Sequence, residues 1–408
     1  MQKSISTTLY RHQIDFLKQN PDKSSLVHSC GTGKTRTAIE WAKLDLSPTL
    51  IICPKALKVN WKRECGKWGF TPIFIRTKEE FRKEWQTLPK FTQVIIDEVH
   101  NGFLTPMFKS QMSKALKGYL KKHNVPRVLL LSATVYTSSP WNIFNLAYYT
   151  GHLWNYRAFQ DRFFTQMRMG MRLIPVAKKG IEGDLAMLTR SIASVVDIHD
   201  VLDVPLQNHL EPEYFALSKE QQKAIKDNYD PLPIVRYTNQ HEIENGILLS
   251  NEFRKEQIYE TDKEERIKQL CEENRKIAIV CRYNAQIDYL ERSLSVHSRK
   301  SIYIIRGDVK DRDGVCQEAE KAEEAIVIIQ GDCGVGFELP SFELCIFASM
   351  SYSYTSFEQM CGRFLRMNVP SRTTFMYLLT EGESIDQAVY DSVKRKEDFK
   401  INLYEKRS

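Results

Sequence analysis

Residues 31–35 read Gly31-Thr32-Gly33-Lys34-Thr35, after the apolar pair Leu26-Val27 and before the helix-like stretch Arg36 to Lys43. A strand, a glycine turn and a helix in that order build a cradle whose backbone N–H groups face phosphate oxygens. Cys30, Gly31, Thr32 and Gly33 form its wall, Lys34 is placed to reach the β- and γ-phosphates of a nucleotide, and Thr35 to ligate magnesium. The fuller pattern has glycine five residues before Gly33, and His28 stands there instead. A plain strand-to-helix turn is the competing reading. A second chemical pair, Asp97 and Glu98, follows Val94-Ile95-Ile96 and so falls at a strand's C-terminal end, where α/β sheets place ligands. Asp97 suits magnesium, held largely through water, and Glu98 suits a general base that polarises attacking water. Adjacent carboxylates also serve as a solvated turn or a helix cap. Far downstream, Gln359, Gly362, Arg363 and Arg366 are spaced Q-x-x-G-R-x-x-R. The two arginines share a helix face, so they serve either a phosphate group or surface carboxylates.

The elements that must position these residues are legible as apolar runs. Leu50-Ile51-Ile52-Cys53, Val94-Ile95-Ile96 and Val128-Leu129-Leu130-Leu131 alternate with amphipathic segments through residues 1–150. Continuous hydrophobicity of this kind marks strands buried on both faces of a parallel sheet. The pattern restarts at Ile277-Ala278-Ile279-Val280 and continues through 302–305, 326–329, 344–347 and 375–379. The expected fold is therefore α/β, with a lobe over 1–150, a helical insertion and linker over 151–255, and a second α/β lobe over 256–408. Aromatic residues crowd the middle stretch around Trp154, Tyr156, Phe159, Phe163 and Phe164. They suit either base stacking or the packed side of helices.

A chain of 408 residues with 42% hydrophobic and 27% charged residues is an ordinary globular protein of two-domain size. Its net charge of +7 permits a polyanionic partner without requiring one. The nine cysteines show neither C-x-x-C pairs nor zinc spacing, which favours a reducing cytoplasm. No signal-like N-terminus and no membrane-length apolar segment is present, so no membrane role is expected.

Taken in order, the motifs resemble those of superfamily 2 helicases and translocases, and within them the Swi/Snf-like ATPases. Leu9-Tyr10-Arg11-His12-Gln13 is similar to the family's glutamine motif, which implies that Gln13 reads the adenine edge. Ile52-Cys53-Pro54-Lys55 with Asn60-Trp61 resembles motif Ia, and Thr77 stands where a motif Ib contact falls. Ser132-Ala133-Thr134 resembles motif III, which links the ATP and nucleic-acid sites. Residues 277–282 resemble motif IV, 334–339 motif V with Glu338 where Asn or Asp is usual, and 359–366 motif VI. The stretch from Ser191 to Ile225 is similar to the Swi/Snf connector. The resemblance implies two RecA-like lobes in tandem and ATP with Mg2+ as cofactors. Catalysis would rest on Lys34, Asp97, Glu98, Gln359, Arg363 and Arg366, and nucleic-acid contact on Lys55, Thr77, Ser132, Thr134 and Gly334. It further implies a DNA-stimulated ATPase that tracks along DNA, double-stranded before single-stranded, with RNA ranked behind. Strand separation on DNA or RNA, a nucleotide-dependent switch or loader for a protein partner, and the motor part of a restriction or repair complex are the alternatives. Compactness points to a bacterial or viral source and a cytoplasmic setting, in the host where viral.

Overall fold

A computed structural model of the chain describes residues 9–72, 74–105, 109–133, 139–169, 172–201, 208–249, 256–334, 336–364, 373–401 and 404. The chain divides into two compact units, Met1–Asp203 and Val204–Ser408.

In the first unit, α1 (Arg11–Gln19), β1 (Lys23–His28), α2 (Lys34–Lys43) and β2 (Thr49–Cys53) come first. α3 (Lys58–Lys67), β3 (Phe74–Thr77), α4 (Lys78–Glu84), β4 (Gln93–Ile96), α5 (Gln111–His123) and β5 (Arg127–Ser132) follow. Then come α6 (Trp141–Tyr149), α7 (Tyr156–Phe163), β6 (Phe164–Met169), β7 (Arg172–Ala177), α8 (Glu182–Ile192), β8 (Ser194–Val196) and the short α9 (Ile198–Val201). Six strands form one sheet in the order β3-β2-β4-β5-β1-β8, every neighbour parallel. Leu50, Ile51, Ile95 and Leu129 are fully buried, each worth about 1.5–3 kcal/mol of transfer free energy.

The second unit opens with β9 (Asn208–His209), β10 (Glu213–Phe215), α10 (Lys219–Asp227), α11 (Pro233–Glu244) and the hairpin β11 (Ile247–Leu249) and β12 (Glu256–Ile258). α12 (Asp262–Glu273), β13 (Lys276–Cys281), α13 (Asn284–His297), β14 (Ser301–Ile305), α14 (Arg312–Lys321) and β15 (Ala325–Gln330) follow. β16 (Leu344–Phe347), α15 (Tyr354–Cys361), β17 (Thr374–Thr380) and α16 (Ile385–Lys394) close it. The sheet order is β10-β17-β16-β13-β15-β14, with β9 also on β17, and again every pair is parallel. Successive residues feed opposite cores: Ala278, Val327 and Phe347 pack on one face, Ile277, Ile326 and Ile346 on the other. Both units are RecA-like, parallel sheets covered by helices, as the apolar runs require.

The middle stretch is helical only in part. The antiparallel pair β6–β7 interrupts it, a second pair, β11–β12, straddles its end, and its short strands β8, β9 and β10 join the two main sheets at their edges. The unit division falls inside it, after Asp203. Its aromatic residues are packed rather than presented: Trp141 stacks on Tyr156 at 4.8 Å and on Phe164 at 4.7 Å, and Trp154 on Phe159 at 5.7 Å. In the second unit a buried polar network ties α11 and α12 to α16. Asp386 accepts from His241 Nε2 at 2.9 Å, Asn245 Nδ2 at 3.0 Å, Thr380 Oγ1 at 2.8 Å and Lys263 Nζ. All nine cysteines are free, and no described helix is long and apolar enough to cross a membrane.

Candidate functional site

The sheet order β4-β5-β1 brings three strand ends together. Parallel register sets Val27 beside Ser132 and Ile96 beside Leu130, so the loop after β1, the acidic pair after β4 and the end of β5 share one edge. This is the C-terminal edge, where α/β sheets take ligands.

The loop turns on Gly31 (φ 81°) and Gly33 (φ 82°), a left-handed backbone that glycine adopts without strain. Thr32 is fully buried, and its hydroxyl donates to the Ser29 carbonyl at 2.8 Å. Lys34 opens α2 and folds back on the loop, its Nζ donating to the carbonyls of His28 (2.7 Å) and Ser29 (3.1 Å). Thr35 lies half-buried on the first helical turn, Cys30 is half-buried and Gly31 exposed. Gln13 is buried, and its amide braces the loop: Nε2 donates to the Gly33 carbonyl at 3.1 Å and Oε1 accepts from Tyr10 N at 2.9 Å. A Cβ on Gly33 would come within 2.6 Å of Gln13 Nε2, a second reason for glycine there. His12 Nε2 donates to the Thr32 carbonyl at 3.0 Å.

Asp97 and Glu98 are both buried. The Trp61 indole donates to Asp97 Oδ2 at 2.8 Å, and Glu98 N donates to Asp97 Oδ1 at 2.9 Å. Burial pushes the Asp97 carboxyl up to about 6; the neighbouring Glu98 carboxylate adds to the rise, and Trp61, Lys34 and Lys78 oppose it. Glu98 sits at φ 49°, an uncommon conformation for a residue with a side chain. Its Oε2 is buried without a hydrogen bond among the described residues, 3.3 Å from His100 Nδ1. His100 Nδ1 shares a hydrogen bond of 2.8 Å with Ser132 Oγ, joining the end of β4 to the end of β5.

Beneath the pair lies Lys78, a buried cation at the start of α4. Its Nζ donates to the Glu98 carbonyl at 2.6 Å and the Asn101 carbonyl at 3.1 Å, and burial draws its pKa down to about 8 against the pull of Glu98 and Asp97. Lys78 thereby fixes the backbone that aims Glu98. Lys78→Met removes both bonds and the charge; a displacement of about 1 Å at such a site costs on the order of 10²-fold in turnover. On the expectation that the site hydrolyses ATP, steady-state assays on Lys78→Met, with its melting temperature as control, should show that fall in kcat at nearly constant nucleotide KM.

Two buried histidines give the same unit an acid sensitivity. Burial, reinforced by Lys34 and His12, lowers His28 to about 3; burial, reinforced by Lys78, lowers His100 to about 4. Unfolded, both titrate near 6.5, so below that pH the unfolded state binds more protons and stability falls with pH. At pH 5 the two together cost about 4 kcal/mol, offset by about 1 kcal/mol from Asp97, whose raised pKa acts in the opposite sense. Thermal melting at pH 7.5 and pH 5 should show the drop, and His100→Asn should shrink it.

The remaining sequence candidates scatter. Lys55 is exposed at the start of a short turn after β2. Thr77 is buried as the cap of α4, accepting from Glu80 N at 3.1 Å while Glu80 Oε2 accepts from Thr77 N at 2.7 Å. In the second unit Gly334 packs against α15, where a Cβ would stand 3.2 Å from Met360 N. Gln359 is buried on α15 with Nε2 unbonded among the described residues. Arg363 follows the helix, half-buried, its Nε donating to the Gln359 carbonyl at 3.2 Å. Thr134 and Arg366 lie outside the described residues. Sequence reasoning passed over Lys78, placed Trp61 with motif Ia and not with Asp97, and left His100 without a role, although the run Asp97-Glu98-Val99-His100 put the histidine in view.

The cradle and acidic pair fit a magnesium-bound nucleoside triphosphate: Lys34 Nζ is held by loop carbonyls it can relinquish, and Glu98 Oε2 has no hydrogen-bond donor among the described residues. No group of three or more metal-ligating side chains occurs among the described residues. Residues 262–368 match the family model of the helicase conserved C-terminal domain. The match contains Gly334, Gln359 and Arg363 and makes this part of the chain helicase-like. No curated protein matches the chain.

Proposed function

We propose that the chain is an ATP-dependent motor that tracks along DNA, with the duplex as its preferred track. One observation carries this reading: a helicase-type C-terminal domain follows, in the same chain, a unit whose β1, β4 and β5 ends gather Lys34, Asp97, Glu98 and Ser132. In this reading the loop N–H groups and Lys34 bind the phosphates of ATP. Thr35 and Asp97 hold Mg2+, which supplies charge neutralisation to the triphosphate when bound. Glu98 takes the proton of the attacking water, and Gln359 and Arg363 complete the catalytic set, with Arg366 as a further candidate. His100, through Ser132, relays the state of Glu98 to the motif III strand. Lys55 and Ser132 offer backbone contacts to the polymer, which carry affinity but no sequence information. A Swi/Snf-like duplex translocase is the form of motor we favour. Against a switch that barely hydrolyses ATP stands the buried Glu98 carboxylate, whose Oε2 has no hydrogen bond among the described residues and so suits a base.

The test is the ATPase rate with duplex DNA, single-stranded DNA and RNA, together with triplex displacement on a duplex. Stimulation by duplex and ATP-driven displacement are expected. A rate indifferent to every polymer would end the motor reading.

A further inference from the structure

Trp61 commits its indole to a carboxylate. The ring is fully buried on the inward side of α3, with Leu57 and Cys65 four residues to either side and also buried. Its N–H donates to Asp97 Oδ2 at 2.8 Å. A buried indole must find an acceptor, and a main-chain carbonyl is enough. Trp41 in the same unit meets that need at the Pro21 carbonyl, 2.9 Å away. Trp61 reaches instead to the acidic pair at the end of β4.

The other bonds of Asp97 are local to the sheet. Its N–H donates to the Ile52 carbonyl of β2 at 2.8 Å, and Oδ1 accepts from the adjacent Glu98 N at 2.9 Å. Among the described residues, the indole is the donor to this carboxylate that a separate element delivers. An ionised carboxylate accepts at about four positions, so each oxygen keeps room for a magnesium-bound water. α3 has a second hold on the pair. Lys58 Nζ lies 2.7 Å from Glu80 Oε2, Glu80 and Thr77 cap α4, and Lys78 at the start of α4 holds the Glu98 carbonyl. The opposite side of α3 faces outward: Val59 is 57% exposed, and Lys62 and the preceding Lys55 are exposed. A helix of ten residues carries Trp61 with it when its outer side is loaded, and a hydrogen bond weakens steeply as its angle closes.

We propose that Trp61 is a positioning residue whose indole ties the Asp97 carboxylate to α3, so that a polymer phosphate seated at Lys55 on that helix's outer side is transmitted to the magnesium site. The inference rests on the motor reading and adds to it the route by which the polymer stimulates hydrolysis.

The test uses Trp61→Phe, which keeps an aromatic ring in the core and deletes the N–H. The ratio of ATPase rates with and without duplex DNA is expected to fall about tenfold, the size of one hydrogen bond to a charged group. A merely structural role would lower the melting temperature and both rates together, leaving the ratio intact; an intact ratio overturns the proposal. Fluorine NMR of the 5-fluorotryptophan-labelled protein supplies a readout apart from activity. The Trp61 signal is identified by its absence in Trp61→Phe or, where that variant does not fold, by replacing the other tryptophans in turn. It should shift on adding duplex DNA without nucleotide, and Lys55→Ala should shrink that shift. A Trp61 signal that ignores bound DNA overturns the proposal even where the variant cannot be assayed. Wild-type hydrolysis indifferent to every polymer is a distinct failure, which removes the motor reading and the route with it.

Discussion

Replacing Arg363 with alanine is expected to lower kcat by about 10³-fold or more while nucleotide affinity changes little. Charge builds on the oxygens of a transferring phosphoryl group, and an arginine aimed at it contributes roughly 10³–10⁵ in rate in related reactions. The proposed function gives Arg363 that task. It is half-buried just past α15, and its Nε is already committed to the Gln359 carbonyl at 3.2 Å, which restricts the side chain and orients the fork. Gln359 is itself buried, so the pair forms a shaped unit rather than a loose surface charge. Lysine should rescue poorly, because a point charge lacks the planar fork. The measurement is steady-state hydrolysis beside equilibrium binding of a fluorescent ATP analogue. Intact turnover in Arg363→Ala would remove the arginine from the catalytic set, and weakened binding with intact kcat would recast it as a ground-state contact.

The parts legible in the sequence were those whose signal is local. Strands buried on both faces read as unbroken apolar runs, and Ile95, Leu129, Ile279 and Ile328 are all fully buried where the runs placed them. The glycine loop also declared itself, since Gly33 occupies a backbone region that its spacing to Lys34 implied. Short edge strands did not. β8 and β10 have three residues each and β9 has two, too few for a period to register, and their pairing depends on main-chain partners far away in sequence. Side-chain roles set by tertiary contact were equally hidden. Lys78 reads as one more solvated lysine until α4 carries it under the end of β4. Thr77 reads as a nucleic-acid contact, yet its hydroxyl caps the helix that delivers Lys78. Gly334 has a packing reason in its close approach to α15, independent of any ligand. Gln13 is turned toward the Gly33 carbonyl, so its visible work is to hold the cradle closed.

Glu98→Gln is expected to cost about 10²–10⁴ in kcat, the range that a positioned general base contributes. The substitution keeps shape and changes only the capacity to take a proton. In the wild type Oε2 is buried, has no hydrogen bond among the described residues and lies 3.3 Å from His100 Nδ1. A buried acceptor left in that condition costs free energy unless a donor arrives, and an attacking water is such a donor. His100 is a poor substitute base, because Nδ1 is engaged with Ser132 and burial together with the Lys78 charge lowers the affinity of the ring for a proton. Removing the Glu98 charge also relieves Asp97, whose pKa that neighbour helps to raise, so nucleotide binding should hold or tighten. The variant should therefore retain bound ATP through many wild-type turnover times, measurable by single-turnover quench. Hydrolysis within twofold of wild type would show that another group takes the proton, and the strained Glu98 backbone held by Lys78 would then need a different purpose.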